Sequence, residues 1–129
     1  MKTYRAILII GIIEILIGGV TLFFTLGSLL MSTNTKSLNV LLFVLTAATT
    51  SSLLGVGILK FKNIAYRLLV FFAAVVALSK MLIFLDVIRL NGSLETNIPP
   101  CFKNGVSMFY HIFLLYYLKK PKIKQIFYK

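Results

Sequence analysis

The stretch Ala6–Met31, AILIIGIIEILIGGVTLFFTLGSLLM, decides the fold of this chain. Its one charged residue is a carboxylate, Glu14, set among Leu, Ile, Val and Phe with a few small or hydroxyl positions. A helix needs about 20 such residues to cross the hydrocarbon of a bilayer, so the run is long enough to span. Three more runs follow: Leu38–Leu59, about Leu68–Ile88 with Lys80 inside it, and Gly105–Leu118, which reaches back to Phe102 to gain length. No segment alternates with period two, so a closed membrane barrel is not expected. Short connections make successive helices antiparallel neighbours. The expected fold is therefore all-α, a polytopic membrane protein forming an up-down-up-down four-helix transmembrane bundle. Residues 1–118 form the transmembrane domain, with spans near 6–31, 38–59, 68–88 and 102–118, and residues 119–129 form a basic cytoplasmic tail.

Composition agrees. Of 129 residues, 59% are hydrophobic, against the roughly 45–50% usual in soluble domains. The net charge of +11 would suit nucleic acid, but its placement does not. Ten of the fourteen basic residues cluster at the ends of apolar runs: Lys2 and Arg5, then Lys60, Lys62 and Arg67, then Lys119, Lys120, Lys122, Lys124 and Lys129. Such clusters are topology signals. With both termini inside, the outer connections carry only Lys36, Arg89 and Lys103, so cytoplasmic termini in a bacterial inner membrane are expected, without nucleic-acid binding. The first run is too long for a signal-peptide core of about 7–15 residues and holds Glu14, so an uncleaved first span is expected.

Glu14 is the chief candidate for function. A charge at that depth costs at least about 2.5–3.5 kcal/mol on insertion scales, and intramembrane acids mark packing locks or ion paths. Gly11, Glu14, Gly18, Thr21 and Thr25 fall on one stripe about 80° wide, at 100° per residue. That stripe should face protein, because small residues let a second backbone approach and polar ones find partners there. The second span offers a matching face, with Ala47, Ser51 and Gly55 at four-residue spacing, and the third offers Ala73 and Ala77 beside Lys80.

At about 1.5 Å per residue, Glu14 and Lys80 differ in height by about 6 Å, which a lysine stem can cover. Two readings of Lys80 stand side by side: an ion pair with Glu14, and a side chain snorkelling past Phe84 to the outer interface. His111 lies near the height of Lys80, with Ser107 one turn away, and completes a candidate intramembrane polar cluster of Glu14, Lys80 and His111. Its pKa near neutrality suits a hydrogen-bonded core residue or a proton relay. With no second histidine and a single cysteine, Cys101, no metal site, intrachain disulfide or cofactor is expected, and Cys101 is either free or paired between molecules.

At the outer end, Asp86 and Arg89 are spaced for a helical surface pair, and Asn91-Gly92-Ser93 is formally a glycosylation triplet. The tail's lysines favour anionic lipid headgroups, with Ile123, Ile126 and Phe127 dipping into the interface.

The segment Gly55-Val56-Gly57-Ile58-Leu59-Lys60-Phe61-Lys62, continuing through Ala65, Tyr66 and Arg67, resembles a pattern of small uncharacterised bacterial four-span inner-membrane proteins. There a Gly-X-Gly ends one helix, basic residues make the turn, and the next helix begins. Gly11-Ile12-Ile13-Glu14-Ile15-Leu16-Ile17-Gly18 is similar to their first span. This resemblance implies a fold and no activity. The chain also looks like small multidrug resistance transporters, which have four short spans and a glutamate in the first that exchanges protons for cationic drugs. It departs from them in having no tryptophan, no tyrosines in the second span, and a cation at Lys80.

No nucleophile–base pair, phosphate-cradling loop or redox centre stands out, so the chain is expected not to be an enzyme. The leading expectation is a non-enzymatic accessory or interaction subunit, with a membrane-protein partner or a second copy of the chain. The alternative is a small proton-coupled transporter with Glu14 as proton carrier.

Overall fold

The computed structural model describes residues 2–32, 37–85 and 100–128. Asp86, Arg89, Asn91-Gly92-Ser93, Lys36 and Lys129 lie outside the described residues, as do the side chains of Cys101 and Lys103. The described residues hold five helices and no strand: α1 Lys2–Leu30, α2 Leu38–Leu59, α3 Asn63–Phe84, α4 Pro100–Leu118 and α5 Pro121–Phe127. By length and composition, α1, α2 and α3 are each sufficient to cross a membrane. The apolar part of α4, Gly105–Leu118, is shorter.

Helix ends differ from the ends of the apolar runs, and the backbone explains why. α3 begins at Asn63 rather than near Leu68, because the turn before it is only three residues long. Phe61 takes the left-handed conformation at φ 52°, its N–H donates to the Ile58 carbonyl (3.0 Å), and the Lys62 N–H donates to that of Gly57 (3.1 Å). These two bonds are a Schellman closure, usually made with glycine at the left-handed position. Here a bulky ring occupies it, edge-on to Tyr4 at 5.8 Å and tilted against Phe127 at 6.1 Å. Aromatic packing holds the strained backbone in place.

Proline sets the other boundaries. Pro100 opens α4, where a missing N–H costs nothing. Pro121 opens α5, with Lys120 extended before it at φ −61°, ψ 133°, so α4 stops at Leu118 and the chain turns. The basic tail therefore contains a helix, and its apolar residues are engaged within the protein. Ile123 and Phe127 are buried, and the Phe127 ring stacks on Tyr66 at 4.9 Å between centroids.

α1 and α2 run antiparallel, with Gly11 against Gly55 and Leu59, and Gly18 against Ala48 and Ser52. α3 and α4 also run antiparallel. Tyr66 near the start of α3 donates to the Leu118 carbonyl at the end of α4 (2.8 Å), and Phe72 meets His111 edge-on further along. α2 meets α3 where Gly57 approaches Ala65. The core comprises Ile7, Ile10, Leu54, Ile58, Leu69, Ala73, Leu114 and Leu118. Large rings and chains such as Phe23, Leu53, Phe71 and Phe109 point outward, while Glu14, Thr25, Ser51 and His111 are buried.

The Tyr66 bond gives a first expected outcome. Tyr66→Phe keeps the ring but strips the buried Leu118 carbonyl of its donor, which should cost about 1–3 kcal/mol of stability in detergent unfolding. Tyr128→Phe, on an exposed residue, should cost less than Tyr66→Phe.

Candidate functional site

The site is built on the buried stripe of α1. Ile7, Ile10, Gly11, Glu14, Gly18 and Thr25 recur at helical spacing on that helix's buried side. Glycines flank Glu14 one turn away on either side, so α2 can come close enough for a short side chain to reach the carboxylate. The hydroxyl of Ser51 on α2 donates to Glu14 Oε2 and also lies 3.1 Å from the Glu14 main-chain carbonyl oxygen. The hydroxyl of Tyr110 on α4 donates to Glu14 Oε1 at 2.8 Å. Each carboxyl oxygen thus accepts a bond from a different helix, and the group is 0% exposed. One side chain ties α1, α2 and α4 together.

Other hydroxyls on these helices behave differently. Thr21 bonds to the Ile17 carbonyl, Thr49 to Leu45, Ser52 to Ala48 and Ser28 to Thr25, each within its own helix. Such back-bonding is how polar side chains satisfy themselves where water is scarce. Ser51 reaches across instead.

His111 follows Tyr110 on α4 and is almost fully buried. Its Nδ1 lies 2.7 Å from the Ser107 carbonyl oxygen and 3.4 Å from the Ser107 hydroxyl. A carbonyl can only accept, so the proton belongs on Nδ1, leaving Nε2 as the acceptor of the neutral ring. His111, Ser107, Lys80, Thr21, Ala47 and Ser51 line a cleft of about 190 Å³. Glu14 meets this cleft through Ser51, not directly.

The structure thus places the sequence candidates in two adjoining groups. Glu14 and Ser51 are bonded to each other, with Gly11, Gly18 and Gly55 around them at the α1–α2 contact. Lys80 and His111 share the cleft next to that pair. The hydrogen-bond partners of the Glu14 carboxylate are hydroxyls, where the sequence left open an ion pair with Lys80. Ala73 is fully buried in α3, while Ala47 and Ala77 are half-buried. Among the described residues, no group of three or more His, Cys, Asp or Glu side chains is gathered as a metal would require.

No family model, curated protein or solved structure matches this chain.

Tyr110 is the partner of Glu14 that sequence reasoning missed. In sequence it is one aromatic among several around His111, and nothing local sets it apart. The signal is the face of α4: Tyr110 adjoins His111 and precedes the buried Leu114 by one turn, so an inward hydroxyl was geometrically available to an acid on another helix.

Proposed function

We propose that this chain is an integral protein of the bacterial inner membrane, with four spans arranged up-down-up-down, acting as a non-enzymatic interaction subunit. α1 to α4 cross in alternating directions, and α5 lies at the cytoplasmic end beside the turn at residues 60–62. Glu14 is the lock that fixes how the spans meet. The single observation that carries this reading is the satisfied carboxyl group: both oxygens are held by hydroxyls from separate helices, with no exposure. A carrier that exchanges protons must open to water. A lock must not. The outward faces, rich in Phe and Leu, are where lipid and a second membrane protein bind.

A second reading, proton-coupled transport, is favoured by the cleft beside the lock, where Lys80 and His111 stand next to Ser51. Purification of the full chain from native membrane in mild detergent separates the two. The subunit reading expects a stoichiometric membrane-protein partner. A chain that purifies alone and drives solute uptake in proteoliposomes under a pH gradient would overturn it.

The orientation has its own test. The ten-to-three charge split directs both termini and the basic turn to the cytoplasm. Cys101, the only thiol, should then react in intact cells with a membrane-impermeant maleimide. Reaction only after the membrane is opened would contradict the orientation.

A further inference from the structure

At the end of the molecule formed by α3 and α5, two cations stand against one phenol and a third lines the same pocket. The Arg67 guanidinium carbon lies 5.2 Å from the Tyr128 ring centroid, and Arg67 Nε donates to the Tyr128 hydroxyl at 2.9 Å. The Lys124 ammonium lies 5.5 Å from the same ring. Lys119 joins them in lining a pocket of about 400 Å³, with Tyr66 and Val70 as its inner wall. Tyr128 is held in turn by the edge of Tyr66 at 6.2 Å, and Tyr66 by the stack on Phe127. The three rings form one packed platform, and the cations beside it are exposed.

Among the described residues, no carboxylate stands beside them. Glu14 is the one acid among the described residues, and it is engaged deep in the helices. Tyr110, which binds it, precedes Leu118 by about 12 Å of helix. Three like charges brought together repel one another unless an anion enters between them, and arginine with lysine is the set that grips phosphate oxygens. Val70 extends the wall one turn along α3 toward the exposed apolar face of Phe71, which gives an attached acyl chain a path.

We propose that Arg67, Lys119 and Lys124, which line the pocket beside Tyr128, bind the phosphate group of an anionic lipid headgroup. The assignment deepens the membrane reading and rests on it, because only a bilayer puts a lipid phosphate at that height. Docking of α5 builds the site, so the tail acts as one wall of a headgroup pocket.

The test uses the full chain in nanodiscs of phosphatidylcholine, alone or mixed with phosphatidylglycerol. A ligand bound only by the folded state raises the unfolding temperature, so the mixed discs should give a higher Tm. Arg67→Gln and Lys124→Gln, both at exposed positions, should each lose more than half of that rise. Lys60→Gln and Lys62→Gln, on the neighbouring turn, should keep it. Equal loss in all four variants would overturn the site in favour of diffuse surface charge. Inorganic phosphate added to phosphatidylcholine discs should leave Tm unchanged, and a rise matching that of the mixed discs would overturn the lipid assignment in favour of a soluble phosphate. Incorporation is scored separately by co-elution with the discs. A chain that stays outside them overturns the membrane reading itself, and the site with it.

Discussion

Replacing Gly18 with leucine is expected to abolish the native helix arrangement. The ground is the geometry of the α1–α2 contact. A Cβ on Gly18 would collide with the Ser52 hydroxyl and the Ala48 carbonyl, and would come within 2.7 Å of the Ser52 main-chain nitrogen. Gly55 is as tight from the other side, where a Cβ would come 2.7 Å from the Gly11 carbonyl oxygen and 2.9 Å from the Ile15 nitrogen. These neighbours are largely backbone and cannot turn aside. Even Gly18→Ala or Gly55→Ala should therefore cost about 1–3 kcal/mol by overpacking. Gly19 supplies the control, since nothing lies within 4 Å of its would-be Cβ. Gly19→Ala should be neutral or gain up to about 1 kcal/mol of helix propensity. Thermal unfolding in detergent reads all four variants. Wild-type stability in Gly18→Ala and Gly55→Ala would mean that the helices do not meet there.

The second large effect belongs to Glu14. Glu14→Ala removes the acceptor for the buried Ser51 and part-buried Tyr110 hydroxyls and leaves a void at the meeting of three helices, so a loss of about 2–5 kcal/mol is expected. Glu14→Gln should be far milder. Its carbonyl can accept from one hydroxyl, while its amide donates to the other, which turns to accept. A variant that keeps two hydrogen-bonding positions and is nearly as stable is what a hydrogen-bonded lock predicts. An ion-paired carboxylate would respond otherwise, because its stranded partner would make Glu14→Gln costly.

Much of this was legible in the sequence. The α1 stripe could be read because glycine, hydroxyl and acid positions recur at helical spacing among residues that otherwise match lipid. The bounds of α2 could be read because polar residues flank it closely on both sides. α3 and α4 start earlier than their apolar runs do, and hydropathy could not tell this. It marks where a chain enters hydrocarbon, whereas a helix continues through its polar ends until the backbone turns. The left-handed Phe61 was hidden as well, since that position usually calls for glycine, and the packing that holds it comes from Tyr4 and Phe127, far away in sequence. The docking of α5 was masked by its lysines, which suggested a lipid-surface anchor with Ile123, Ile126 and Phe127 in the interface, whereas Ile123 and Phe127 are buried against the protein. At the site, the carboxylate was plain and Ser51 was placed on the packing face, but the reach of its hydroxyl to Glu14 on another helix was not legible. Tyr110 lies 96 residues from Glu14, and only tertiary geometry joins them.

The most direct measurement of the central claim is the coupling free energy between Glu14 and Tyr110, from a double-mutant cycle of Glu14→Ala and Tyr110→Phe. Reversible unfolding of the wild type, both single variants and the double variant supplies the four stabilities. If Glu14 locks α4 to α1 through that hydroxyl, the two losses should fall short of additive by at least about 0.5 kcal/mol. Losses that simply add would contradict the lock.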